Sequence, residues 1–463
     1  MSKLNIKSFF GDRSFYKEVT GIALPIMAQQ FVTSFVNLID NVMVGGIGQT
    51  ALTAVTVANR FYMIASSIMF GLCGAAGIYI AQNYGAGKND RCQKILNINL
   101  SIGFVVMLLF TGVLFFVPEW TIYPFSRTPE IVDLGLDYIV FAKYTYIPYG
   151  ISFTCMMAMR AIGLNKIQLK VGIIAVLTNT ILNYILIYGK LGSPAMGVKG
   201  AALATIIGQI VSAALAVRYL MHYKTVAITR QHLHPRKDCV CRIAALGAAQ
   251  SFNQIAMTVV QIALNKSLTH YGAMSIYGEE IPLACAGIIT KVNQIFFSVI
   301  IGLSQSVQPI ASFNYGAQQY ARVRKVYHLA IRCGFVISIT SFVVFQLFPR
   351  QITSLFGSGD ALYFEFAISY FRVFFFCTFL NCMQPISSTF FTAIGQPVKG
   401  LFLSMTRQIL FLLPLILILP LFFGIDGILY SGPIADGVAA VVSVFMIRQE
   451  MQHMRHLELH ASF

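Results

Sequence analysis

Ionisable side chains inside apolar runs are the groups in this sequence that can do chemistry. The chain has 17 acids among 463 residues, and nearly all flank its hydrophobic stretches. Two fall within them: Asp40 in FVNLIDNVMVGG and Asp436 in GPIADG. A carboxyl there is neutral when dry and ionised when water or a cation reaches it. That is the chemistry of ion coupling, and acids at membrane depth are functional candidates by default. Gly45-Gly46 after Asp40 allows the backbone to bend nearby. Asp436 follows Pro433, which frees backbone donors that a carboxylate can cap, so a structural role is expected. Arg372 in SYFRVFFF is also read as structural, facing Glu365 seven residues earlier, backbone carbonyls or the interface. Enzymatic motifs fail: GAGK at 85–88 lacks the flanking residues of a phosphate loop, and the nine cysteines contain no CxxC pair. Neither an enzyme nor a cofactor is expected, and no metal site beyond the sodium alternative raised below.

The elements that must position these residues are membrane helices. The chain is 57% hydrophobic and only 11% charged, whereas a soluble domain carries about 25% charged residues. Apolar runs near 20–44, 51–81, 95–117, 137–159, 171–188, 200–220, 243–265, 281–312, 327–348, 364–390, 400–423 and 428–447 predict twelve transmembrane helices. The fold class is therefore an all-α integral membrane protein. The net charge of +16 does not point to nucleic acid, because the basic residues sit between the apolar runs rather than on one face. Of 33 Lys and Arg, 22 fall at 3–17, 88–94, 160–170, 218–242, 322–325, 399 and 448–455, which alternation places on one side. Five fall on the other side. That bias puts both termini in the cytoplasm, with the protein in the cytoplasmic (inner) membrane.

The two halves match. Asn83-Tyr84-Gly85-Ala86 recurs as Asn314-Tyr315-Gly316-Ala317, an offset of 231. Gly71-Leu72 recurs as Gly302-Leu303, Pro118 as Pro349 and Arg60 as Lys291 at the same offset. Ala161-Ile162-Gly163 recurs as Ala393-Ile394-Gly395 at 232, and Gly197 is paired with Gly427 at 230. Six spans per half make the repeats parallel, related by an axis along the membrane normal. The expected organisation is an N-terminal six-helix lobe at 1–220, a basic cytoplasmic linker at 221–242 and a C-terminal six-helix lobe at 243–463. Pseudo-symmetric bundles of this kind work by alternating access, so a transporter is expected.

Over essentially its whole length the chain resembles multidrug and toxic compound extrusion (MATE) transporters. The resemblance rests on PIMAQQFVTSFVNLID at 25–40, QNYGAGK at 82–88, MRAIGLNK at 159–166, NTILNYILIYG at 179–189, GVKGAALAT at 197–205, QPIASFNYGA at 308–317 and TAIGQP at 392–397. It implies antiport that exports organic, often cationic or amphipathic, compounds against inward flow of protons or sodium. Asp40 falls on the family's first-helix aspartate. The fourth-helix tyrosine falls on Tyr138, the fifth-helix asparagine on Asn179 and the sixth-helix threonine on Thr205. The second fifth-helix position, often Asp, is Asn183 here, which removes one titratable group. Protons are the expected coupling ion. Sodium held by Asp40 with Asn179, Asn183 and Thr205 oxygens is the alternative.

The seventh span offers Gln250, Asn253, Gln254 and Gln261 and no acid. Amides bind polar substrate groups but do not exchange protons, so substrate contacts are expected there. A flippase for lipid-linked oligosaccharide or cell-wall precursors on the same fold is the competing reading. It calls for more mid-span cations than this chain has. The expected partners are a small organic substrate, the coupling ion and the bilayer, with the protein a monomer. The charge bias yields a direct test: in a cysteine-depleted background, Arg230→Cys should resist an impermeant thiol reagent in intact cells. Strong external labelling there would overturn the orientation.

Overall fold

Hydrocarbon offers the backbone no hydrogen-bond partner, so a lipid-embedded chain of this composition folds into helices. The computed structural model describes residues 13–222, 256–356 and 360–461, and no strand occurs among them. The first half comprises α1 (Arg13–Gly45), α2 (Gln49–Gly85), α3 (Asn89–Phe116), α4 (Pro129–Ala142), α5 (Tyr146–Ala161), α6 (Asn165–Tyr188) and α7 (Val198–Met221). The second comprises α8 (256–273), α9 (Glu280–Gly316), α10 (Tyr320–Leu347), α11 (Pro349–Phe356), α12 (Ala361–Ser369), α13 (Met383–Ala393), α14 (Pro397–Met405), α15 (Leu413–Ile418), α16 (Pro420–Phe423) and α17 (Ile425–Ala461).

Nine helices among the described residues are long and apolar enough to cross a membrane, and the pair Ala361–Phe374 and Thr378–Ala393, bent by 42°, makes a tenth. The run from α4 through a 3₁₀ turn at Lys143–Thr145 into α5, together with α8, completes the twelve of a two-bundle fold. The 37 residues of α2 span about 55 Å, well beyond a hydrocarbon core of about 30 Å. The excess is taken up by tilt or by extension past the core. The chain forms two compact units, Ala28–Ser251 and Met1–Met27 with Phe252–Phe463. The division within α1 falls just after Pro25, where the helix ladder lacks a donor. Residues 223–242 of the expected linker lie outside the described residues.

The internal repeat is written into the helix ends. Helices α9 and α10 reproduce the lengths of α2 and α3 and begin and end 231 residues later. The repeated Asn-Tyr-Gly-Ala closes both long helices in the same way. Lys88 N–H donates to Asn83 O at 2.8 Å and Gly87 N–H to Tyr84 O at 3.0 Å; Gln319 N–H donates to Asn314 O at 2.8 Å and Gln318 N–H to Tyr315 O at 3.0 Å. These paired bonds satisfy the last carbonyls and require a left-handed residue. Gly87 supplies it at φ 72°, and Gln318 adopts it at φ 60° despite its side chain. Ala-Ile-Gly acts likewise, with Gly163 at φ 82° and Gly395 at φ 86°.

In one pair the structure shifts the register. Gly197 precedes α7 at φ 55° and Gly424 precedes α17 at φ 59°, so Gly197 matches Gly424 rather than Gly427. Gly200 then matches Gly427. A Cβ on Gly200 would lie 2.6 Å from Leu186 O, and one on Gly427 would lie 2.5 Å from Leu419 O. Each glycine lets a new helix start against the backbone of the preceding one.

Among the ion pairs of the second bundle, one joins its last two spans. Arg407 Nε, in the π-helical turn Thr406–Leu412, donates to Asp436 Oδ1 of α17. The Asp436 side chain is 1% exposed. Asp436, expected to cap the backbone near Pro433, thus has a cationic partner. Removing one member strands a buried charge, at a cost of about 3–5 kcal/mol. Asp436→Leu alone should therefore lower the melting temperature of the purified protein sharply, and the double variant Arg407→Met with Asp436→Leu should recover most of the loss. Additive losses in the double variant would show that the two side chains are not coupled.

Candidate functional site

Three helices of the first bundle bring together the residues marked for ion coupling. Helices α1 and α6 run parallel in nearly constant register. A Cβ on Gly172 would lie 3.3 Å from Gln29 Nε2, Asp40 meets Asn183, and the Tyr188 hydroxyl donates to Met43 O at 2.7 Å. These contacts hold Asp40 about 8 Å from the α1 terminus at Gly45. Helix α7 closes on α6 because Gly208 has no side chain. A Cβ there would lie 3.1 Å from Asn179 Cβ and 3.3 Å from Ala175 O. That approach brings Thr205, three residues earlier on the same helix face, within reach of Asn179.

The result is a line of hydrogen bonds across three helices. Asn183 Nδ2 donates to Asp40 Oδ1 at 2.9 Å and lies 3.4 Å from Asn179 Oδ1. Asn179 Nδ2 donates to Thr205 Oγ1 at 3.3 Å, and the Thr205 hydroxyl donates to Ala201 O at 2.9 Å. Asn183 is 3% exposed. Its Oδ1 is buried with no hydrogen-bond partner among the described residues. Asp40 itself is half-buried. The structure therefore brings together Asp40, Asn179, Asn183 and Thr205.

Tyr138 stands beside this line rather than in it. Its hydroxyl donates to Asn59 Oδ1 of α2 at 3.2 Å, and Asp40 lies within electrostatic reach of it. Around it gather aromatic residues that sequence reasoning missed. Tyr62 packs edge-on against Tyr146 at 5.5 Å and Tyr149 at 5.2 Å between ring centroids. The signal for them was the tyrosine-rich run at 138–149; for Asn59 there was none, since its partner lies 79 residues away.

In the second bundle Gln261 Nε2 donates to Asn265 Oδ1 one turn on, at 3.1 Å. Gln250, Asn253 and Gln254 lie outside the described residues. The Arg372–Glu365 pairing considered from the sequence is not formed. Glu365 accepts from the Tyr277 hydroxyl at 3.4 Å, while Arg372 is exposed and its carbonyl accepts from Gln346 Nε2 at 3.0 Å. Nothing in the sequence singles out Arg407, whose partner Asp436 lies 29 residues on.

A line of amides ending on an acid holds a carboxyl whose charge can change, and its oxygens are hard donors of the type that bind sodium. The MatE family model matches residues 25–185 and 249–418. The probable multidrug resistance protein YoeA of Bacillus subtilis is 24% identical over 351 residues, 74% of each chain. The multidrug export protein MepA of Staphylococcus saprophyticus is 22% identical over 451 residues, 96% of each chain. A solved MOP superfamily transporter from Pyrococcus furiosus superposes with a TM-score of 0.86 at 20% identity, covering 98% of this chain and 99% of that one. The chain belongs to the multidrug and toxic compound extrusion (MatE) family of membrane transporters.

Proposed function

We propose that this transporter exports organic, often cationic or amphipathic, compounds by antiport against protons, with Asp40 as the proton carrier. Both termini and the 221–242 linker face the cytoplasm, and the lobes 1–220 and 243–463 are the moving units. In that orientation Asp40 lies near the outer end of its helix, where external protons arrive. The observation that carries the reading is an intramembrane acid bound to a neutral amide whose own oxygen has no partner among the described residues. Ionised Asp40 accepts from Asn183 Nδ2. Protonated Asp40 is a donor, and Asn183 Oδ1 is the adjacent buried acceptor. Meeting it turns the Asn183 amide and withdraws its bonds to Asp40 and Asn179. The proton is thereby converted into a rearrangement of α6 against α1 and α7. Gln250, Asn253, Gln254 and Gln261 are assigned to the substrate. The names of the relatives YoeA and MepA point to drugs as the substrate class.

Sodium coupling is the second reading, and the same unpartnered Asn183 oxygen favours it. With the Asp40 carboxylate and the Asn179 and Thr205 oxygens it makes four hard donors.

Proteoliposomes separate the two. Export of a fluorescent cation should proceed under a pH gradient without sodium and should stop under a sodium gradient at equal pH. Asp40→Asn keeps the shape of the protonated acid but releases no proton. It should insert and melt like the wild type, while gradient-driven export falls to the level of protein-free vesicles. Asp40→Glu should retain partial export. Wild-type export by Asp40→Asn would remove Asp40 from the mechanism, and export under sodium alone would replace the proton.

A further inference from the structure

A second charged feature of the fold plays no part in the coupling chemistry. A cavity of ≈ 560 Å³ lies within the second bundle, between the first turns of α10 and the last turns of α17. Its walls carry Arg324, Lys325 and His328 from α10 and Arg448 and Arg455 from α17, with Ile447 among its apolar lining. No acid lines it. The positions are periodic: 324 and 328 lie one turn apart, and 448 and 455 two turns apart, so each helix presents one basic face. Arg324, Arg332 and Arg455 all act electrostatically on His328. Glu458 compensates part of the charge by accepting from Arg324 Nη2. Arg324 Nε is buried and has no hydrogen-bond partner among the described residues.

Like charges so gathered repel one another; Lys325, His328, Arg448 and Arg455 are exposed and Arg324 is half-buried, so water weakens that repulsion without removing it. A charge bias that only sets orientation needs basic residues in the loops on one side. It does not need four Arg and Lys side chains converging on one hollow. The hollow instead has the chemistry of an anion receptor: guanidinium forks matched to phosphate oxygens and the N-terminus of α10 at one wall. It also has aliphatic surface alongside. That last element distinguishes a lipid from a free anion, because a headgroup arrives with acyl chains that need apolar cover. Basic pockets between helix ends at the membrane surface suit acidic headgroups.

We infer that this cavity binds the phosphate headgroup of an anionic phospholipid, with the acyl chains lying along the apolar surface of the second bundle. The ligand is structural or regulatory rather than cargo, since the site is built from residues of the second bundle alone and shares none with the Asp40 line.

The test uses the full chain purified in detergent. Native mass spectrometry should show retained phosphatidylglycerol and far less phosphatidylcholine, and phosphatidylglycerol should raise the melting temperature. Lys325→Gln should weaken phosphatidylglycerol binding about fivefold, and Lys325→Gln with Arg455→Gln about 25-fold, leaving phosphatidylcholine unchanged. Arg455→Lys should keep most of the binding. Neither Lys325 nor Arg455 supports the Arg324–Glu458 pair, so the lipid-free melting temperature should stay near wild type. Should the double variant fold poorly, Arg448→Gln provides the same measurement. A well-folded variant that retains the wild-type preference for phosphatidylglycerol would overturn the site. Inorganic phosphate that stabilises the protein equally at matched ionic strength would overturn the lipid assignment in favour of a soluble anion.

Discussion

A polar group that enters hydrocarbon has to find its partner inside the protein, and the rest of this structure follows from that constraint. It is why the described chain is helical, and it governs each place where a helix stops or breaks. The caps at Asn83–Lys88 and Asn314–Gln319 answer it with backbone bonds. Elsewhere side chains answer it. In the broken tenth span Gln346 donates to Arg372 O, and the Ser304 hydroxyl donates to Pro385 O at 2.7 Å. Ser312 donates to Ala393 O at 2.9 Å and Ser388 to Gly400 O at 2.6 Å. These serines and this amide serve backbone carbonyls at and near the helix breaks.

The same constraint sorts the two intramembrane acids. Asp436 is bound to a guanidinium, which does not lose its proton in a protein. Neutralising Asp436 would leave the Arg407 cation beside it uncompensated. Asp40 is bound to an amide. Neither of its protonation states leaves an uncompensated charge on the partner, because Asn183 offers a donor from one end and an acceptor from the other. The two acids therefore differ by partner, an amide in one case and a guanidinium in the other, although both look alike as isolated carboxyls in apolar sequence.

That comparison marks how far sequence could reach. Hydropathy located the membrane helices, because a bilayer imposes a length that apolar runs must meet. The repeated Asn-Tyr-Gly-Ala was legible because helix termination is local chemistry with fixed spacing. Asp40 was legible through its rarity as well as through family resemblance, and its partners Asn179, Asn183 and Thr205 only through family resemblance. The Asn59–Tyr138 and Arg407–Asp436 bonds were not legible. They join helices packed across the bundle, and no periodicity links residues 79 or 29 positions apart. The break in the tenth span escaped for another reason: a hydropathy window averages over a π turn and a 42° bend without registering either. The glycine register failed through length. The fifth span is followed by a loop at 189–197, whereas in the second half Gly424 alone separates α16 from α17, so an offset near 231 cannot persist to Gly424.

The two halves thus agree in backbone and disagree in polar content. Helices α2 and α3 match α9 and α10 residue for residue in length, and the capping glycines fall in the same left-handed conformation. Yet where α6 and α7 carry Asn179, Asn183 and Thr205, the eleventh and twelfth spans carry a closed Arg–Asp pair. Backbone satisfaction is a demand on every copy of a membrane bundle, so duplication preserves it in both. The Asp40–Asn183 bond ties the first span to the fifth within the first bundle, whereas the Arg407–Asp436 pair ties the eleventh span to the twelfth within the second, so each copy of the duplicated scaffold closes its intramembrane acid with a different partner.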